Sequence, residues 1–434
     1  MKKNIFTIIG IIAIFACTNV AKANKYVWIH GLNDNSDCWS LYNKDASIGN
    51  NKGTLVSYNP SSTTSINGIA TRVINNNSDL NSGYEPTILI GHSLGGLVAR
   101  EIESNNSSIN YKVKGIITVG TPHQGARVLS NLNKGQLNAV ASKLYDKTSW
   151  VATSASQALL SILGPIGKSL SYVVTFIDVS GILKTKLTTT YIFPAIETQL
   201  AGYNVDDQFV KDMKVGSPYM STISNRKVNV PILTFACEED RLALPRVGYC
   251  AVNKTTLQKE NVNSDGKFEE KSGSYLDITK KVKTASYFAS AVTCGIGALT
   301  ASLVWSNPGW AYTSIMNFKA SAQAVDLGWY IDNGMDFDHA VFVGASHVDE
   351  IATNHKFLWK RWTTYKYVTV PEAHDGVVPV KSQFMNQSAG TNVIIPDHTI
   401  KGVNHMEEFN HKNTKTEFIQ TFAGTSPYGQ TFKR

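Results

Sequence analysis

The stretch Thr87-Ile88-Leu89-Ile90-Gly91-His92-Ser93-Leu94-Gly95-Gly96 decides how this chain is read. An apolar run gives way to a serine with glycine two places to either side. Beyond it, Leu94, Val98 and Ile102 recur on one helical face of Leu94–Ser104, with Arg100, Glu101 and Glu103 largely off it. The pattern is a buried strand, a sharp turn and a helix. A backbone that reverses so abruptly at Ser93 leaves no room for side chains at Gly91 and Gly95. The turn lifts the hydroxyl out of the sheet and aims the first helical N–H groups at the same point. That is the construction of a nucleophile.

Working outward, further short runs rich in Val, Ile and Tyr read as strands: Tyr26–His30, Leu55–Tyr58, Val113–Val119, Val230–Ala236, Tyr367–Val370 and Asn392–Ile395. Ile66–Ile74 reads as a helix packed on them. Short apolar strands alternating with helices predict a mostly parallel sheet with helices on both faces. The expected organisation is a core at 24–128, 229–240 and 363–434, interrupted at 129–228 and 241–362. In the first interruption, Ala139–Leu163 and Leu170–Leu183 carry apolar positions at helical spacing around Gly164-Pro165. An amphipathic helical cap over the site is expected, able to present an apolar face to lipid. In the second, partly helical interruption, Lys254–Lys283 reads as a polar excursion and Thr284–Ser306 lacks charge. The Gly, Ser, Thr and Ala content of Thr284–Ser306 argues for a helix buried in the cap or resting on lipid, not a transmembrane one.

Residues 1–23 have the form of a secretory signal: Lys2 and Lys3, the apolar Ile5–Ala16, and small residues in Ala21-Lys22-Ala23. A secreted or periplasmic bacterial protein is expected, with lipoprotein anchoring through Cys17 as the alternative. Soluble export would leave Cys38, Cys237, Cys250 and Cys294. They could form two disulfides in any of three pairings, of which Cys237 with Cys250, leaving Cys38 with Cys294, is favoured by sequence distance; buried thiols are the alternative. The formal charge of +8 is scattered and loses Lys2, Lys3 and Lys22 with the signal. No basic stripe with interleaved aromatics indicates a nucleic-acid partner. Transient contact with a membrane or lipid interface fits better, and the oligomeric state is not legible.

At this point the chain resembles an α/β-hydrolase of the bacterial secreted triacylglycerol lipase type. Tyr26-Val27-Trp28-Ile29-His30-Gly31-Leu32 is similar to that family's oxyanion-side strand and turn, and Ile88–Gly96 to its nucleophile elbow. Val119–Gly125 resembles a lipase signature, and Asp212-Met213 with Gly216–Tyr219 resembles the return from the cap. The resemblance covers residues 1–130, a stretch near 212–245 and residues 365–434. It implies an α/β-hydrolase fold, with two largely helical insertions forming a cap. It also implies an acid after a late strand and a histidine in a C-terminal loop. Asp375 in His374-Asp375-Gly376-Val377-Val378-Pro379 is similar to the acid motif, and His405 in Asn404-His405-Met406-Glu407-Glu408 to the histidine motif. Asp240 in Glu238-Glu239-Asp240 is the competing acid.

The chemistry asks for the same residue types. A serine hydroxyl needs an imidazole to take its proton, and the imidazole needs a carboxylate to fix its tautomer. The oxyanion needs two fixed donors, expected to be the backbone N–H groups of Leu94 and Leu32. The chemistry requires no cofactor. Some lipases of the resembled group hold calcium near the histidine loop, and Glu407 stands where a ligand would be, though the usual residue is Asp. There is no His/Cys cluster with zinc spacing and no dinucleotide fingerprint. The expected function is an exported serine hydrolase of lipid carboxylic esters, a triacylglycerol lipase or carboxylesterase. Phospholipase, polyester depolymerase, short-chain esterase and non-catalytic lipid-binding homologue are the alternatives.

Overall fold

The computed structural model describes residues 25–32, 34–50, 53–81, 86–105, 113–132, 206–239, 275–357 and 360–433, with residues 143, 243, 246, 247 and 250. Residues 1–23, with Cys17, both predicted cap helices apart from Lys143, and Asp240 lie outside the described residues.

Six strands form the main sheet: β1 (Lys25–Ile29), β2 (Gly53–Val56), β3 (Thr87–His92), β4 (Val113–Val119), β5 (Ile232–Phe235) and a short strand at Val393–Ile394. The order runs β2, β1, β3, β4, β5 and then the short strand, and every pairing is parallel. The order reverses between β1 and β3, so a crevice opens at the carboxyl ends of those two strands. Ser93 follows β3 and the Gly31-Leu32 turn follows β1, which brings both to that crevice.

Strand alternation splits the core in two. Val27, Ile29, Leu89, Ile116 and Ile232 face one cluster; Tyr26, Trp28, Ile88, Ile90, Ile117, Leu233 and Phe235 face the other. Helix α1 (Ile66–Asn76) buries Ile66, Ile69, Ala70, Val73 and Ile74 in the first. Ser65 caps it by accepting from Gly68 N. Helix α2 (Leu94–Asn105) buries Leu94, Leu97, Val98 and Ile102 there. On the opposite face, Phe418 packs against Trp28, Trp39, Tyr42, Phe235 and Phe422.

The second insertion holds a helical hairpin, α3 (Tyr275–Ser302) against α4 (Gly309–Trp329), then a π-helical turn at Tyr330–Gly334 and α5 (Met335–Val343). Part of the expected polar excursion, 275–283, is thus helical. No described helix is long and apolar enough to cross a membrane. The expected core strand Tyr367–Val370 is instead the root of a two-stranded antiparallel arm, in which Lys360–Pro371 pairs with Ser346–Phe357. It stands apart from the main sheet, and most of the arm is exposed.

Neither expected disulfide, Cys237–Cys250 or Cys38–Cys294, is formed. Cys237 and Cys250, close in sequence, sit in the clusters on opposite faces of the sheet. Cys38 is buried in the core, whereas Cys294 is exposed on α3.

Candidate active site

Ser93 has φ +53°, in the left-handed region that a side chain normally avoids. The glycines around it are required by close approach. A Cβ on Gly91 would lie 2.4 Å from Gly96 N, and one on Gly95 would lie 2.4 Å from Ile29 O and 2.5 Å from His30 O. The elbow can therefore pack directly on β1. Ser93 N donates to Val119 O at 3.0 Å, which ties the turn to the neighbouring strand.

Nε2 of His405 lies 3.0 Å from Ser93 Oγ, and its Nδ1 lies 2.7 Å from Asp375 Oδ2. Asp375 is fully buried, and its Oδ1 accepts from Val377 N at 2.8 Å and Val378 N at 2.7 Å. His405 N donates to Asp375 O at 2.8 Å, so the two loops are joined through backbone as well as side chain. Three residues far apart in sequence thus form one hydrogen-bonded line. With Nδ1 held by Asp375, the place expected for an acid at His405 is filled.

The Gly31-Leu32 turn closes on the same point. A Cβ on Gly31 would lie 2.9 Å from both Ser93 Cβ and His92 Nδ1. The turn is braced by His30, which stacks on Tyr58 at 4.1 Å. His30 Nδ1 lies 2.8 Å from Gly31 O, and its Nε2 accepts from Tyr58 N at 3.3 Å. Leu94 is the first residue of α2, so its N–H points out of the helix end, beside Ser93.

Two further buried histidines are held by hydrogen bonds within the fold. His123 Nε2 meets Thr118 Oγ1 at 2.9 Å, and burial followed by the nearby Arg100 pushes its pKa well down. Burial lowers that of His374 against the pull of Asp375 and Glu238; its Nδ1 accepts from Gly376 N.

Glu408 was missed as a functional residue by the sequence reading. Its carboxylate is fully buried, 3.0 Å from His92 Nε2 and 3.7 Å from His405 Nδ1. It occupies the space a Cβ on Gly120 would take. Burial raises the Glu408 pKa to about 8, with Asp375 adding to the rise and His405 opposing it. For His405, burial favours the neutral ring, but Asp375 and Glu408 outweigh it and raise the pKa to about 10. The only sequence signal was a second carboxylate three residues after the histidine.

Glu407 does not fit a calcium site. Its fully buried carboxylate is bound by the Arg246 guanidinium, which also holds Glu239 at 2.9 Å. Burial opposes the charge on Arg246, but Glu407 and Glu239 outweigh it and raise its pKa. His92, His405 and Glu408 are close enough to share an ion, their ligand atoms lying within 4.8 Å. Both ring nitrogens of His405 are already engaged, so this group reads as a hydrogen-bonded network. A cavity of about 830 Å³ opens beside the acid loop, with His374, Glu239, Asp336, Glu372, Trp329 and Phe337 in its wall. Neither Ser93 nor His405 lines it, so it is distinct from the nucleophile's crevice.

A family model of the PGAP1-like alpha/beta domain matches residues 63–182, a span that includes the elbow. No curated protein matches the chain. Among solved structures, a Bacillus licheniformis lipase in its mature form is similar at 12% identity, covering 51% of this chain and 67% of its own, with a TM-score of 0.30. An extracellular alpha/beta-hydrolase from a Paenibacillus species is 14% identical over 49% of this chain and 78% of its own, at TM-score 0.24. A Bacillus megaterium epoxide hydrolase bound to an inhibitor is 14% identical over 50% and 77%, at TM-score 0.25.

Proposed function

We propose that this chain, which belongs to the α/β-hydrolase superfamily, hydrolyses carboxylic esters of lipids through an acyl-enzyme on Ser93. The observation that carries the reading is the unbroken line from Ser93 Oγ through His405 to Asp375, at 3.0 and 2.7 Å.

In this reading, His405 Nε2 takes the Ser93 proton as Oγ attacks the ester carbonyl. Asp375 holds the imidazole in the tautomer with the proton on Nδ1 and stabilises the imidazolium that forms. The tetrahedral oxyanion is received by the N–H groups of Leu94 and Leu32. His405 then returns the proton to the departing alcohol. Water enters, His405 takes a proton from it as its oxygen attacks the acyl carbonyl, and the second tetrahedral intermediate collapses to free acid as His405 returns that proton to Ser93 Oγ. No step calls for a metal ion.

The lipid part of the reading rests on the apolar segments of both insertions in the sequence. Each buried methylene of an acyl chain adds roughly 0.8 kcal/mol of transfer free energy. Activity should therefore rise with chain length. Action outside the cytoplasm is supported by residues 1–23.

A fluorophosphonate probe tests the nucleophile. The folded wild type should be labelled and Ser93→Ala should not; an unlabelled wild type would leave a lipid-binding homologue. Hydrolysis across glycerides, phospholipids, polyesters and short soluble esters tests the substrate. Activity confined to short esters would replace lipase with esterase.

A further inference from the structure

The helical hairpin of α3 and α4 is built inside out. Its two helices meet through small and hydroxyl side chains, with Ala289, Ser290, Thr293, Ser314, Ala320 and Ser321 buried between them. Ser290 Oγ meets Ser321 Oγ at 3.0 Å, and Ser314 Oγ donates to Gly297 O at 2.9 Å. A Cβ on Gly297 would meet the Phe318 ring at 3.2 Å, so the helices approach closely there. The outward side carries the bulk: Trp305 is 98% exposed, Tyr312 70%, and Leu299 and Ile315 64% each. A hairpin made for water would place these residues in reverse. Close packing through small residues, with hydroxyls bonded across it, is how helices associate where apolar surroundings supply no drive to bury side chains.

Charge follows the same division. From Thr284 through Phe318, across the tip of the hairpin, no side chain is charged. Lys280, Lys281 and Lys283 stand at the root of α3, and Lys319 interrupts α4. The uncharged first part of α4, Gly309–Phe318, is about 15 Å long. That is about half the hydrocarbon thickness of a bilayer, and Lys319 would then sit at headgroup level.

We propose that this hairpin enters one leaflet of a phospholipid bilayer tip first, without crossing it, and holds the enzyme at the lipid surface. The inference takes lipid as its partner in accord with the function proposed above, but its test needs no turnover. A second copy of the chain is the rival occupant.

The test uses Ser93→Ala protein, so lost hydrolysis and lost docking are read apart. Vesicles of phosphatidylcholine with about a third phosphatidylglycerol supply the bilayer and its negative surface. An environment-sensitive dye on Cys294, the exposed thiol of α3, should brighten on vesicle addition, and lipids brominated along the acyl chain should quench it. The pair Trp305→Glu and Ile315→Lys, both outward-facing, should weaken co-sedimentation at least about tenfold. The melting temperature should remain that of the parent, which separates lost docking from lost folding. Undiminished vesicle binding by the pair overturns the proposal. So does a dye on Cys294 that neither brightens nor is quenched by lipids brominated near the glycerol end of the acyl chain. Concentration-dependent dimerisation without vesicle binding, abolished by the same pair, assigns the face to a second copy instead.

Discussion

Glu408 Oε1 lies 3.7 Å from His405 Nδ1, the nitrogen that Asp375 Oδ2 holds at 2.7 Å. Two buried carboxylates therefore address one imidazole, and their roles differ. Asp375 is anchored by two backbone N–H groups and makes the direct hydrogen bond. Glu408 lies beyond bonding distance of the ring and against His92, whose Nε2 is also 3.0 Å from His405 O.

Replacing Asp375 with Asn should lower kcat by about 10³–10⁴-fold, because the amide favours the wrong imidazole tautomer. Glu408→Gln keeps the shape and should change kcat at its pH optimum by less than about tenfold, as expected of a group that acts through its field. Steady-state kinetics on one soluble ester compares them. The reverse ranking would transfer the orienting role to Glu408.

The pH profile carries a separate prediction. His405 must be neutral to accept the serine proton, and the two carboxylates hold its pKa up to about 10. The acid limb of kcat/KM should lie on the alkaline side of a free imidazole, so activity climbs as pH rises through neutrality. Glu408→Gln removes one raising charge, so the limb should move to lower pH. A limb that stays in place or moves upward counts against the coupling.

Calcium should be irrelevant to the histidine loop. With Glu407 and Glu239 both on Arg246, Arg246→Met should cost about 3–5 kcal/mol by stranding buried carboxylates. Urea unfolding with and without a chelator provides the comparison. The wild type should unfold at the same urea concentration in EDTA and in excess calcium. A calcium-dependent midpoint would restore a metal role there.

Thiol titration follows from the packing. Protein lacking residues 1–23 should give four reactive thiols when denatured without reductant and one, Cys294, when folded. Fewer in the denatured chain would reveal a disulfide.

Gly95→Ala drives a methyl group into Ile29 O and His30 O, both backbone. The elbow must move off β1, and turnover should fall at least about 100-fold, with a lower melting temperature. Gly295→Ala is the control. Nothing lies within 4 Å of its Cβ position on α3, and alanine favours a helix. It should be neutral or slightly stabilising.

The elbow, β1 and β4 were legible because each is a local pattern: apolar runs ended by turn residues. Asp375 and His405 could be read because each lies in a short motif and their chain order suits the fold. Tyr367–Val370 was misassigned because a β-branched and aromatic run looks alike in a core sheet and in a projecting arm. Its partner strand contains Asp349, Glu350, Asn354 and Lys356, too polar to announce itself. The cysteine pairing failed because nearness in sequence does not reveal the side of the sheet. Glu408 was hard to read as a functional group because its effect depends on Gly120, just beyond the end of β4, leaving space for it.

Glu239 N donates to His374 O at 2.9 Å. The chain between them includes the helical hairpin and the exposed arm, and its two ends meet at this backbone contact. Asp375 follows immediately and takes its position from the core side of that junction. Evolution can therefore lengthen, trim or exchange the exposed arm and the outer hairpin without re-aiming the acid, provided Arg246, Val247 and His339 keep their contacts with the two catalytic loops. New surfaces can be tried against an unchanged reaction centre, one graft at a time.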